Sequence, residues 1–258
     1  MLISPINEGY RRSLILIGCV AAVLYSNFLL DWLLRGFDGM GIVVSQLEAP
    51  GQPHATFLRV TDVLTGVLVL LLLPGVRRAM PAGGWRYLTI WATVVFAVGA
   101  IVAAVVALPC GPAQVCATLR LQTNIHDGSS VLSDTGLFIG SAAAWFATRR
   151  AGPIWFQRAA TIVFWFGGIA ASAVFGYINL TQRPLWAVGT TQRIHILWIS
   201  VWILCLAVYA AQRPGRGERA HLSAHGPPVG ELPSACPDSI GSAGNAGCSS
   251  CIVREPRS

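Results

Sequence analysis

Runs of about 20 predominantly apolar residues, the length that spans a bilayer core as a helix, recur six times along the chain. They cover residues 14–34, 60–76, 87–108, 129–148, 161–180 and 194–211, with short polar connections between them. The pattern predicts an all-α polytopic membrane protein, a six-transmembrane-helix bundle. The second run is short, and Pro74 near its end predicts a stop or a kink. Residues 64–73 are nonetheless too apolar for a surface loop. The fourth run opens on NIHDGSSVLSDTG, residues 124–136, which places His126, Asp127 and Asp134 where a lipid-facing helix would carry none.

Composition agrees with the pattern. Hydrophobic residues make up 54% of the 258 and charged residues only 11%, about half the charge of a soluble domain, and the mean hydropathy is +0.60. Every one of the 18 basic residues is arginine. Eleven of them, including Arg11, Arg12, Arg77, Arg78, Arg149 and Arg150, fall on one side of the predicted bundle, and Arg35, Arg59, Arg120, Arg183 and Arg193 on the other. The positive-inside rule then puts both termini in the cytoplasm. The net charge of +7 thereby becomes an orientation signal, and the dispersed arginines lack the clustering of a nucleic-acid surface. Residues 1–212 form the transmembrane domain. Residues 213–258, rich in Gly, Pro and Ser, predict a disordered cytoplasmic tail.

Once the topology is drawn, the polar residues within or beside the spans fall at their outer ends. Asn27 and Asp31 close the first span, Arg59 and Asp62 open the second, His126, Asp127, Ser130 and Asp134 open the fourth, and Arg193 and His195 open the sixth. Ionisable groups inside a membrane are costly unless they face partners or a cavity, so this segregation marks a functional site. Helical spacing puts Asp127, Ser130 and Asp134 on one stripe and His126, Ser130 and Ser133 on an overlapping one. That face is expected to turn toward Asp62 and His195. Asp127 is also placed to cap the fourth helix, a role that does not account for Asp134 two turns further in. His54, after Pro53, reads as solvated.

Three chemistries fit these residues. His126 and His195 with Asp62 or Asp127 could hold zinc and activate a water. Alternating acids and imidazoles could form a proton or ion path. Arg59 and Arg193 could pair with Asp31, Asp62, Asp127 or Asp134 in a network that orders the helices. No spacing motif such as HxxxH or HExxH lies in the bundle to single out the metal. Cys110 and Cys116, in an outer loop, are spaced for a disulfide. Small residues at Gly167, Gly168, Ala170, Ala171 and Ser172 permit close helix packing within the chain or in a homo-oligomer.

The segments LEAPGQPHATFLRVTDVLTG (47–66), the pair Cys110 and Cys116, IHDGSSVLS (125–133) and TTQRIHILW (190–198) together resemble the bacterial six-span integral membrane family called domain of unknown function 998. The resemblance covers roughly residues 10–212 and implies an architecture, with no activity attached. A more distant similarity is to the membrane hydrolases that include alkaline ceramidases. It implies Ser130, His126, Asp127 and His195 around zinc, although Ile199 stands where that superfamily carries a second histidine.

The sequence therefore predicts a multi-pass protein of the bacterial plasma membrane whose partner is the lipid bilayer. Its outward-facing polar pocket would bind a small or lipid-derived ligand. The alternatives are a metal-dependent hydrolase of a lipid amide or ester, with Asp127, Ser130 and Asp134 as catalytic candidates, and a small-solute or proton transporter or sensor.

Overall fold

A computed structural model of the chain describes residues 8–39, 41–111, 120–181 and 185–212. The predicted tail lies outside them, as does Cys116. The described residues are helical, without strands. In order come α1 (Glu8–Tyr25), α2 (Phe28–Leu34), the short α3 (Val44–Leu47), α4 (Ala55–Ala79), α5 (Gly84–Val105), α6 (Arg120–Thr148) and α7 (Ile154–Ile162). A π-helical segment (Val163–Ala170) continues into α8 (Ala171–Thr181), and α9 (Leu185–Gln212) closes the unit.

Four helical stretches are long and apolar enough to cross a membrane: Ala55–Ala79, Gly84–Val105, Ile154–Thr181 and Trp186–Gln212. The pair α1 and α2, bent by 46° at a short break, passes the same test together and counts as a fifth if it is one span. Large apolar side chains such as Leu16, Val23, Leu71, Trp91 and Leu180 are exposed on these helices, as expected where the solvent is hydrocarbon. α6 has 29 residues, about 43 Å at 1.5 Å per residue, but its outer half is too polar to count among the apolar spans.

Several boundaries differ from the sequence-based ones. The first run is two helices. Ser26 and Asn27 lie in a tightened turn whose amides bond Val23 and Leu24 at 3.1 and 3.2 Å, and the Asn27 side chain turns into the bundle without capping α2. α4 is longer than predicted and runs through Pro74 to Ala79; the proline removes one backbone donor without ending the helix. α6 starts at Arg120, so Asp127 lies within the helix and is exposed. The predicted capping role is therefore wrong, because the polar residues 120–128 continue the helix.

Close packing rests on small residues. The broadest helix pairing is α5 with α6, where a Cβ on Gly136 would come within 2.9 Å of the Ala92 carbonyl oxygen. There the Ser133 hydroxyl donates to the Phe96 carbonyl at 2.8 Å. Gly167 and Gly168 of the π-helical segment sit against Trp198 and the Phe138 ring, with no room for a Cβ. These two glycines of the small-residue stripe pack within the chain, whereas Ala170 and Ser172 are exposed. Away from the polar half of α6 the rings of Phe156 and Tyr209 stack at 4.1 Å with Trp202 beside them, an apolar plug.

Candidate functional site

Two acid-containing clusters lie at one end of the helices. In the first, Asp31 of α2 is buried. Arg35, one turn on, donates its Nε to both carboxylate oxygens at 3.0 and 2.8 Å, and His54 Nδ1 lies 2.8 Å from Oδ1. His54 is held at the start of α4 with a left-handed backbone, φ 62°. It is exposed, as the sequence predicted, and the Asp31 carboxylate in addition supplies a partner for this left-handed conformation. Arg35 also donates to the Pro53 carbonyl at 2.8 Å, fastening the loop between α2 and α4. Arg193 of α9 donates to the Ile42 carbonyl at 3.0 Å and covers the Trp32 ring at 5.7 Å. Asp31 pairs with Arg35 and His54, and the expected Arg193 acts on it electrostatically.

The second cluster surrounds a cavity of about 90 Å³ between α4, α6 and α9. Its lining includes Tyr25 and Asn27 from the helix break, Glu48 just after α3, Asp62 of α4, His126, Ser130, Ser133 and Asp134 of α6, and His195 of α9. An adjoining hollow of about 570 Å³, reached past Cys110, Asp127 and Asn179, shares Ser45, His126, Ser130, Asp134 and Gln192 with it. The α6 stripe of His126, Ser130 and Ser133 meets Asp62 and His195 in the inner cavity, whereas Asp127 borders only the outer hollow. Cys110 is disulfide-bonded; its predicted partner Cys116 lies outside the described residues.

Three features define the chemistry of the cavity. Glu48 and Asp62 form a carboxyl pair joined by a hydrogen bond. Asn27 Nδ2 donates to Asp62 Oδ1 at 2.8 Å and to Thr61 Oγ1 at 2.6 Å. Burial, and then the neighbouring Asp62 carboxyl, push the Glu48 carboxyl well above its usual range against the opposing charge of Arg59, so Glu48 is the proton donor of the pair. Second, His195 Nε2 lies 3.1 Å from Asp134 Oδ2 and its Nδ1 3.5 Å from the Ser172 hydroxyl, while the ring packs against Phe138 at 5.2 Å. Third, His126 is 2% exposed. Its Nδ1 faces the carbonyl oxygens of Ala103 and Val106 at 2.9 and 3.1 Å, and its Nε2 is buried with no hydrogen-bond partner. Carbonyls only accept, so Nδ1 carries a proton, and in the neutral tautomer this leaves Nε2 as an acceptor without a donor.

The zinc centre implied by the hydrolase resemblance does not fit this donor set. His195 Nε2 is engaged by Asp134, and the unpartnered imidazole nitrogen of the cavity, His126 Nε2, is not joined by further ligands. Among the described residues no group of three or more His, Cys, Asp or Glu side chains is arranged to hold a metal ion.

Glu48 and Tyr25 belong to the cavity but were not singled out from the sequence. Glu48 stands in the LEAPGQP segment as one acid in a loop, and nothing local distinguishes a buried loop acid from a solvated one. Its proximity to Asp62 exists only once α3 folds over the bundle. Tyr25 looked like an ordinary aromatic residue near a helix end.

Neither the curated proteins nor the solved structures contain a match to this chain. The helical architecture, the apolar spans and the outer polar cluster accompany a match, over residues 16–209, to the family model described as Protein of unknown function (DUF998), and the chain belongs to that family.

Proposed function

We propose that this is a six-span protein of the plasma membrane, with both termini in the cytoplasm, whose outward-facing pocket binds a small or lipid-derived ligand that donates hydrogen bonds. The observation that carries the reading is the unpartnered His126 Nε2 in the wall of the cavity. A buried acceptor without a donor is costly, and a bound donor group removes that cost. Asp62 supplies a second acceptor. Arg59 places positive charge near Glu48, and Arg193 holds the covering loop through Ile42. We place the sixth crossing at α6, whose His126 and Ser133 are buried and whose Ser130 and Asp134 line the cavity. Eleven arginines on one side against five on the other support the orientation. The stacked rings at the inner end favour a closed binding pocket over a proton path, since the acids do not continue past the outer part.

The test is accessibility. Ser130→Cys, in the wall shared by cavity and hollow, is expected to react with a membrane-impermeant methanethiosulfonate applied to intact cells, above the level of the unsubstituted chain. Reaction only in inverted vesicles would overturn the orientation, and no reaction from either side would overturn the open pocket.

A further inference from the structure

We propose that the cavity takes a single primary ammonium group, carried by a free amine or by an amine-bearing lipid headgroup, with its N–H bonds directed to His126 Nε2 and to the Glu48–Asp62 carboxyl pair. This rests on the pocket reading above and names the ligand class for it.

The argument begins with what the cavity lacks. His126 presents an acceptor with no donor, and its own donor is fixed by two backbone carbonyls. The carboxyls of Asp134, Asp62 and Glu48 all act electrostatically on Tyr25, so three acids converge on one wall. Asp134 has an imidazole partner in His195. The Glu48–Asp62 pair shares a hydrogen bond and takes the Asn27 amide on Asp62, with no arginine among the residues that line the cavity. The cation that reaches this pair, Arg59, acts on Glu48 from outside the cavity lining. A neutral polyol would satisfy His126 but bring no positive charge to the three converging acids. A quaternary ammonium would bring that charge but has no N–H for His126. A primary ammonium does both, with three donors on a compact head. About 90 Å³ of cavity accommodates such a head, at roughly 10–15 Å³ per water-sized sphere, and the hollow of about 570 Å³ leaves room for whatever the amine is attached to.

The experiment follows thermal unfolding of the purified full-length chain in phosphatidylcholine nanodiscs with three soluble probes: ethanolamine, choline and ethylene glycol. Ethanolamine is expected to raise the midpoint in a saturable way, and the other two to leave it unchanged. A parallel comparison of phosphatidylethanolamine with phosphatidylcholine nanodiscs separates the sources. A rise with the lipid alone assigns the headgroup, and a rise with free ethanolamine assigns the soluble amine. Asp62→Asn, close in shape, should weaken binding by about tenfold or more, as expected for loss of a charged hydrogen-bond acceptor, and His126→Phe should do likewise. The contrast between ethanolamine and choline needs no variant, so a variant that fails to fold does not disable the test. Equal shifts from choline or ethylene glycol, undiminished binding in folded Asp62→Asn, or no shift from either amine source would overturn the inference. If Ser130→Cys still reacts from outside in those cases, the pocket stands and only its ligand class falls.

Discussion

Asp31 and Asp62 begin from the same position in the argument: each is an aspartate near the outer end of a helix, drawn into the bundle. They end differently. Around Asp31 the chain closes every demand, with Arg35 bridging both oxygens and His54 completing the set. Around Asp62 the chain supplies another acid, an amide, and a histidine aimed elsewhere. Burial of an acid alone therefore does not mark a binding site. What separates a structural clamp from a candidate pocket is whether the surrounding donors and charges balance within the fold.

That contrast is broken most severely at the closed cluster. Asp31→Ala leaves Arg35 and His54 without their shared partner. It should cost about 3–5 kcal/mol, the range for removing one member of a buried ion pair, read as a fall in the unfolding midpoint. A loss comparable to that of an exposed substitution would show that the clamp contributes little. Next comes the packing that shapes the open cluster. Gly136→Val puts side-chain atoms against the Ala92 carbonyl and should cost about 1–3 kcal/mol as overpacking. The same change displaces Ser133 from the Phe96 carbonyl and should reduce Ser130→Cys labelling when the two are combined.

A smaller effect lies in the pH dependence of the open cluster. Because Glu48 is held well above the usual carboxyl range, the folded chain binds its proton more tightly than the unfolded chain does. The stability this gives is complete below the ordinary carboxyl value and is lost as pH rises through the raised one. The unfolding midpoint should therefore fall with rising pH, and Glu48→Gln, which cannot ionise, should flatten that fall. An identical pH profile in the variant would remove Glu48 from the account. At the low end, Asp127→Asn, on an exposed turn of α6, should leave the midpoint unchanged within error, in contrast to both clusters.

The particular residues show what could be read early. Asp134 stood out because helix capping could not reach it, and the structure places it on His195. The stripe of His126, Ser130 and Ser133 followed from helical periodicity, and those residues line one cavity. His54 is exposed as expected, but a histidine after proline in a loop carries no sign of the aspartate waiting 23 positions earlier. Asp127 was misjudged because the onset of α6 depends on packing against α5, and the apolar pattern begins later than the helix does.

The sequence by itself determined the helical membrane architecture and the gathering of acids and imidazoles at one end, because hydrophobic length and helical period are local properties of the chain. Only the tertiary structure decided which acid is satisfied and which is not. Partners such as Arg35 and His54 for Asp31, or Glu48 and Asn27 for Asp62, are chosen by how the α1–α2 break and α3 fold over the bundle, and hydrogen-bond balance is a sum over neighbours that the linear order does not contain.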